Sequence, residues 1–174
     1  MNHLFNMDMT TFRVLQCEIV ELLGEHKMCP FMNLNMVSLD FMWKNGYRVI
    51  VFSPFTETIP TIFWSPAMIS SPWPDTNNVD ILLDFLDSNL EHRRYNPLGF
   101  FVSQGVCTPK NSDIIRRWRS TLRSSFSLRT NRKMLEWLDK LSKEKQLKVN
   151  IVILDFVEEE YSRKIISLNH FTKC

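Results

Sequence analysis

None of the familiar catalytic signatures is spelled out in this sequence. GxGxxG, the P-loop, GxSxG and HExxH are all missing, so nucleotide-binding, α/β-hydrolase and zincin readings have no residues to stand on. The four cysteines (Cys17, Cys29, Cys107 and Cys174) are scattered, with no CxxC and no histidine pair at ligand spacing. Neither a zinc site nor a disulfide framework is suggested, and a reduced compartment fits best. The opening MNHLFNMDMTTFR lacks a basic segment followed by an apolar one, and no apolar run approaches the roughly 18 residues of a membrane span. The expectation is a soluble cytoplasmic chain. Internal repeats and low-complexity linkers are absent too, and a net charge of +2 argues against a general polyanion binder.

What is present is an aromatic-rich chain, with 13 Phe and 5 Trp, which excludes general disorder. At 174 residues and 44% hydrophobic it is long enough for one domain with a sizeable core and too short for two ordinary ones. The most informative stretch is Val149 to Val157, VNIVILDFV, where seven of nine residues are apolar between the charged runs KEKQLK and EEE. It reads as a parallel-sheet strand buried on both faces. Asp155 comes as the apolar run ends, at the carboxyl end of that strand, where α/β folds place their chemistry. A carboxylate there needs a partner, and its other reading is an N-cap or ion-pair group at the start of the last helix.

Elsewhere, Phe12, Leu15, Ile19, Leu22 and Leu23 recur at helical spacing after cap candidates at Asp8 to Thr11, and Gly24 stops the pattern. A short helix is expected from Ser38 to Lys44, then a strand over Tyr47 to Ser53. Five prolines between Pro54 and Pro74 leave only Thr61 to Ser65 able to form a strand before a long loop. Thr76 or Asn77 should cap a helix whose stripe is Val79, Leu82, Leu83, Leu86 and Leu90, and Phe100 to Ser103 should be a short buried strand. Ile114, Ile115, Trp118 and Leu122 mark one helical pattern and Met134, Leu135, Leu138 and Leu141 another, with a break near Ser124 to Thr130. A last helix is expected from Glu159 to about Leu168. Helices between about four strands, with no two-residue hairpin, argue α/β with a parallel sheet, either a small open sheet or half of a barrel.

The segment Lys110 to Lys148 carries twelve Lys or Arg against four Asp or Glu, with Arg116, Arg117, Arg119 and Arg123 close together. This is either a patch for anionic lipid or phosphate, or a solvated outer helix face. No aromatic stacking motif accompanies it, which argues against nucleic acid. Of the histidines, His26 and His92 fall at helix ends, His170 in the tail, and His3 in the opening segment.

Read in order, NHLFNM at Asn2, TIFWSPAMISSPWP at Thr61, FFVSQGVCTPK at Phe100 and NIVILDFVE at Asn150 resemble the phosphatidylinositol-specific phospholipase C X-domain-containing family, along its second half. The resemblance implies the C-terminal half of a distorted TIM barrel, residues 1–174 forming a single partial domain. It also implies phosphodiester cleavage of phosphoinositide lipids by two histidines that the family carries in its first half, at positions with no match here. Asp155 matches the aspartate that orients the general-base histidine, and Asn2 and His3 match the end of the fourth strand, near the substrate. Ser53-Pro54 and Trp64 depart from the bacterial pattern, which has an inositol-binding arginine and an aspartate at about those places. No carboxylate cluster resembling a calcium site is visible, and its ligands would lie mostly in the absent half, so the metal requirement stays open. The expectation is a chain inactive by itself, peripheral to membranes, either a truncated product or one half of an enzyme continuing upstream, and prone to self-association through exposed barrel edges. The alternative is a non-catalytic module that binds an anionic membrane or a partner through Arg116, Arg117, Arg119 and Arg123.

Overall fold

The computed structural model describes residues 8–53, 62–93, 99–116 and 118–168. The chain is α/β with parallel strand pairs, and it divides into two compact units, Met1–Ile69 and Ser70–Cys174.

The first unit opens with α1 (Met9–Leu23), capped by the Asp8 carboxylate, which accepts from the Thr11 amide at 2.8 Å. That bond, with a second from the Thr11 hydroxyl, holds the Asp8 carboxyl below its usual range. Gly24 ends the helix with φ of 79°, a left-handed conformation that suits glycine. A side chain there would also press on the His26 ring, 2.9 Å away. Helix α2 (Leu39–Lys44) follows with Ser38 as its cap, as expected. The strand expected over Tyr47 to Ser53 is pared down to β1 (Val51–Phe52), preceded by a lone parallel bridge from Val49 to Met28. It pairs in parallel with β2 (Phe63–Trp64), in the register Val51 to Phe63 and Phe52 to Trp64. Ile19, Val20 and Leu23 of α1 pack on the cluster of Met28, Ile62 and Phe63. Leu22, counted with the apolar stripe, is instead 85% exposed, and α1 buries Gln16 beside Phe12, the Gln16 amide donating to the Ser53 hydroxyl at 3.0 Å. A long polar side chain with a specific acceptor can outcompete an apolar one at the edge of a stripe.

The boundary between the units falls within β3 (Ile69–Ser70), a strand that the proline-rich stretch concealed. The second unit is built around α3 (Val79–His92), β4 (Phe100–Gln104), α4 (Asn111–Arg116), α5 (Leu128–Lys140), α6 (Lys143–Gln146), β5 (Ile151–Ile153) and α7 (Glu159–Ser167). Helix α3 is capped by Asn78, one or two residues later than expected, because its side chain reaches the amides of Asp80 and Ile81. Leu82, Leu86 and Leu90 of α3 pack fully buried against Met134, Trp137 and Leu138 of α5. The break expected near Ser124 to Thr130 does not occur. A π-helical turn, Arg123–Ser127, widens the backbone by one residue and runs directly into α5.

Strands β4 and β5 are parallel, pairing Val102 with Ile151, Ser103 with Val152 and Gln104 with Ile153, and β3 flanks β4 on its other side. The long apolar run Val149 to Val157 therefore yields a three-residue strand. It is half-buried rather than covered on both faces, and Ile153 is exposed. Val149 is still tied to the preceding turn through Gln146, and Phe156 takes a left-handed φ of 52° that ends the extension. Three ladder pairs are marginal alone. The amino end of the pair is held from outside by Arg93, whose guanidinium donates to the carbonyls of Lys148 and Gly99 and lies over the Phe101 ring at 5.2 Å. Partial burial lowers the Arg93 pKa without removing its charge.

Candidate functional site

Because β4 and β5 run the same way, the loops that leave them emerge at one edge of the pair. Asp155 lies there, two residues past the end of β5 and half-buried. Its carbonyl accepts from the fully buried Asn131 amide of α5 at 2.8 Å, and the next residue carries the left-handed backbone noted above. Such a conformation costs a phenylalanine roughly 1–2 kcal/mol and persists only where surroundings impose it. The Asp155 backbone is thus pinned while its carboxylate has no ion pair and no hydrogen bond among the described residues. The last helix is capped at Glu158, so Asp155 does not serve as its N-cap.

Glu158 ties the loop after β5 to the π-helical turn that leads into α5: Arg123 donates to its carboxylate at 2.7 Å. The loop leaving β4 passes Gly105, whose amide extends the ladder to the Ile153 carbonyl at 2.8 Å, and then Thr108, whose amide binds the Thr76 carbonyl at 2.8 Å. Asp113, buried in the first turn of α4, accepts from the Asn77 side chain at 2.7 Å, the Lys110 amide at 3.0 Å and Arg116 at 3.2 Å. These bonds border a polar cavity of about 250 Å³ that also meets Cys107, Arg129 and Thr130. Burial pushes the Cys107 thiol up, against smaller opposing effects of Thr130 and Arg129, which favours the neutral thiol. An apolar groove, also of about 250 Å³, lies between β5 and α7, lined by Val152, Leu154, Val157, Tyr161 and Ile165.

The basic segment is ion-paired at several points along its length. Lys145 bridges Asp87 and Glu91 of α3 at 2.7 and 2.9 Å, Lys133 pairs with Glu136, and Lys148 with Glu144. In the first half Arg116 pairs with Asp113 and Arg123 with Glu158. Arg116, Arg119 and Arg123 are all exposed, and Arg119 stacks over the Trp118 ring at 4.6 Å. Asn2, His3, Arg117 and His170 lie outside the described residues. His26 and His92 are exposed, the latter bonded to the Ser88 carbonyl at 2.7 Å. Ser53 and Trp64, where the resemblance departs from the bacterial pattern, are both buried and joined by a 2.9 Å bond from the Ser53 amide to the Trp64 carbonyl. Among the described residues no group of three or more His, Cys, Asp or Glu is placed to hold a metal ion, and no helix is long and apolar enough to cross a membrane. Sequence reading missed Asn131 and Glu158. Glu158 stood within the acidic run after the strand, but nothing local marks an asparagine 24 residues upstream as the anchor of Asp155.

Among curated proteins, the chain is 33% identical over 172 residues to PI-PLC X domain-containing protein 3 of Bos taurus and of Homo sapiens, a match covering 97% of this chain and 52% of each relative. It is 32% identical over 183 residues to PI-PLC X domain-containing protein 2 of Mus musculus, covering 99% of this chain and 52% of that protein. The chain spans about half the length of these relatives. No family model and no solved structure matches it.

Proposed function

Because the chain belongs to the family of PI-PLC X domain-containing proteins, we propose that it carries the second half of a phosphoric diester hydrolase site acting on phosphoinositide lipids. In this reading its strands are the later strands of a distorted (β/α) barrel. Asp155 orients the general-base histidine, which a chain segment with no counterpart here supplies.

The observation that carries the reading is the state of Asp155. A carboxylate fixed in backbone, half-buried and without a partner among the described residues, at the carboxyl edge of two parallel strands, suits a group that accepts from an imidazole N–H. Such a bond selects the tautomer whose other nitrogen can take the proton of an attacking hydroxyl, and it stabilises the imidazolium that results. Asn2 and His3 are assigned to the substrate side on the resemblance alone. The cation that would meet charge developing on phosphorus, whether a side chain or calcium, is not assigned to any residue of this chain.

The test has two arms. Purified 1–174 is expected to release no inositol phosphate from phosphatidylinositol vesicles, and neither is its Asp155→Asn variant. Co-expressed with the half of a PI-PLC X domain-containing relative that this chain does not match, it should gain turnover that falls by about 10³- to 10⁴-fold on Asp155→Asn. Activity of the isolated chain that disappears with Asp155→Asn would mean the histidine is already present. Reconstituted activity indifferent to that substitution would remove Asp155 from the mechanism.

A further inference from the structure

We propose that Ser120 is a phosphorylation site for a serine kinase that selects arginine-rich substrates, and that the phosphate it gains is received by Arg116 and Arg129 at the rim of the polar cavity. The proposal goes beyond the phosphodiesterase reading and does not rest on it.

The sequence comes first. Arg116, Arg117 and Arg119 stand four, three and one residues before Ser120, and no Asp or Glu occurs between Asp113 and Glu136. A kinase with an acidic substrate cleft reads such a run by its charge. Of the serines and threonines from 120 to 130, only Ser120 has an arginine three places before it. The fold leaves the run open to such a cleft. Ser120 is exposed, in a bend that belongs to neither helix nor strand. Ile114, Ile115, Trp118 and Leu122 recur at helical spacing, which ordinarily marks a core face, yet all four are exposed as well. Little burial therefore opposes the extended conformation that a kinase imposes on its substrate.

In the transfer, Ser120 Oγ bonds to the γ-phosphorus of ATP as the bond from that phosphorus to the β–γ bridging oxygen breaks. ADP leaves, and the hydroxyl proton passes to the kinase's catalytic carboxylate. The new phosphate then meets a prepared setting. The Ser120 hydroxyl is hydrogen-bonded to that of Ser125, which lines the polar cavity together with Arg116 and Arg129. Of the two carboxylates there, Asp113 is buried and bonded to Asn77, Lys110 and Arg116, and Asp80 is exposed on the first turn of α3. A phosphate is a stronger claimant than either for two guanidiniums that can each offer paired hydrogen bonds. It would also stand at the start of a helix. The Ser124 amide donates to Thr121 Oγ1 and the Thr121 amide to Ser124 Oγ, both at 3.2 Å, and from this mutual cap the π-helical turn runs into α5. Negative charge one residue before such a cap is favoured by the helix dipole. The phosphate would thereby tie the loop after β4 to α5, the helix whose Asn131 pins Asp155.

The experiment incubates the full 174-residue chain with ATP and the catalytic subunit of an arginine-selective serine kinase, and locates the phosphate by mass spectrometry. Incorporation is expected at Ser120, is absent from Ser120→Ala, and is slowed about tenfold or more by Arg117→Gln. The phosphorylated chain should melt about 2 °C or more above the unmodified one, a gain that shrinks in high salt. Arg116→Gln with Arg129→Gln leaves Arg117 to direct the kinase and should remove that gain when the phosphorylated and unmodified forms of the variant are compared. No incorporation, or incorporation mainly at Ser124 or Ser125, would overturn the site. A gain that survives the double substitution would overturn the assignment of Arg116 and Arg129 as receivers. Both readouts are independent of lipid turnover, so their failure and the failure of the catalytic reading are separate results.

Discussion

Trp64→Ala is expected to destabilise the first unit by about 4 kcal/mol or more, enough to leave it largely unfolded. Trp64 is fully buried, and its ring meets the Phe31 edge at 5.4 Å and the Phe52 ring at 6.2 Å. Removing an indole from such a packed setting forfeits its transfer energy and leaves a cavity, typically about 3–5 kcal/mol together. There is a polar loss as well. The indole N–H donates to the Cys29 carbonyl at 2.9 Å, and a buried acceptor left unpaired costs a further ~1 kcal/mol or more. Trp64→Phe keeps much of the volume and loses only the donor, so it should cost less than half as much. Urea denaturation followed by circular dichroism measures both, and a loss under about 1.5 kcal/mol for alanine would show that the site collapses around the gap.

Gly105→Val should be nearly as damaging in the second unit. A Cβ at this position would lie 2.6 Å from Leu154 Cδ2 and 2.8 and 2.9 Å from Met134 Cε and Cγ. Met134 is fully buried and has little room to withdraw, so the strain must pass to Leu154, the residue before Asp155. Overpacking of this kind costs about 1–3 kcal/mol for one added methyl, and valine adds two more carbons. Clearing the space with Leu154→Ala should recover part of the loss from Gly105→Ala in thermal melts. A Gly105→Ala variant that melts like the wild type would mean both neighbours can yield freely.

The parts of this fold that were legible beforehand are those decided locally. α1, α2 and α7 carry their apolar spacing and their stops within a few residues, and the structure returns them with boundaries shifted by one or two residues. Strand extent is decided elsewhere. Val149 to Val157 looks uniform in sequence, but only Ile151–Ile153 finds a partner strand, and β3 was hidden among prolines because its pairing is the only thing that makes it a strand. The π-helical turn at Arg123–Ser127 illustrates the same limit, since its serines resemble a linker until packing carries the helix through them. Ile114, Ile115, Trp118 and Leu122 show another. Periodicity reports that a face is apolar and says nothing of what lies against it. Asp155 was legible because a carboxylate closing an apolar run is locally conspicuous, whereas Asn131, which fixes it, depends on the path of the chain between them.

The short β4–β5 ladder is fastened at both ends by side chains that belong to neither strand. Arg93 holds the carbonyls before each strand, and Asn131 holds the one after β5, while the Asn150 side chain accepts from the Phe101 amide between them at 3.2 Å. A ladder of three pairs would otherwise fray from its ends, each amide opening independently. Clamped in this way it has no loose end from which to begin. The amides of Val102 to Gly105 and of Ile151 to Ile153 should therefore exchange with deuterium together, at one rate set by release of the clamps. On that timescale Asp155 would be either wholly in place or wholly lost.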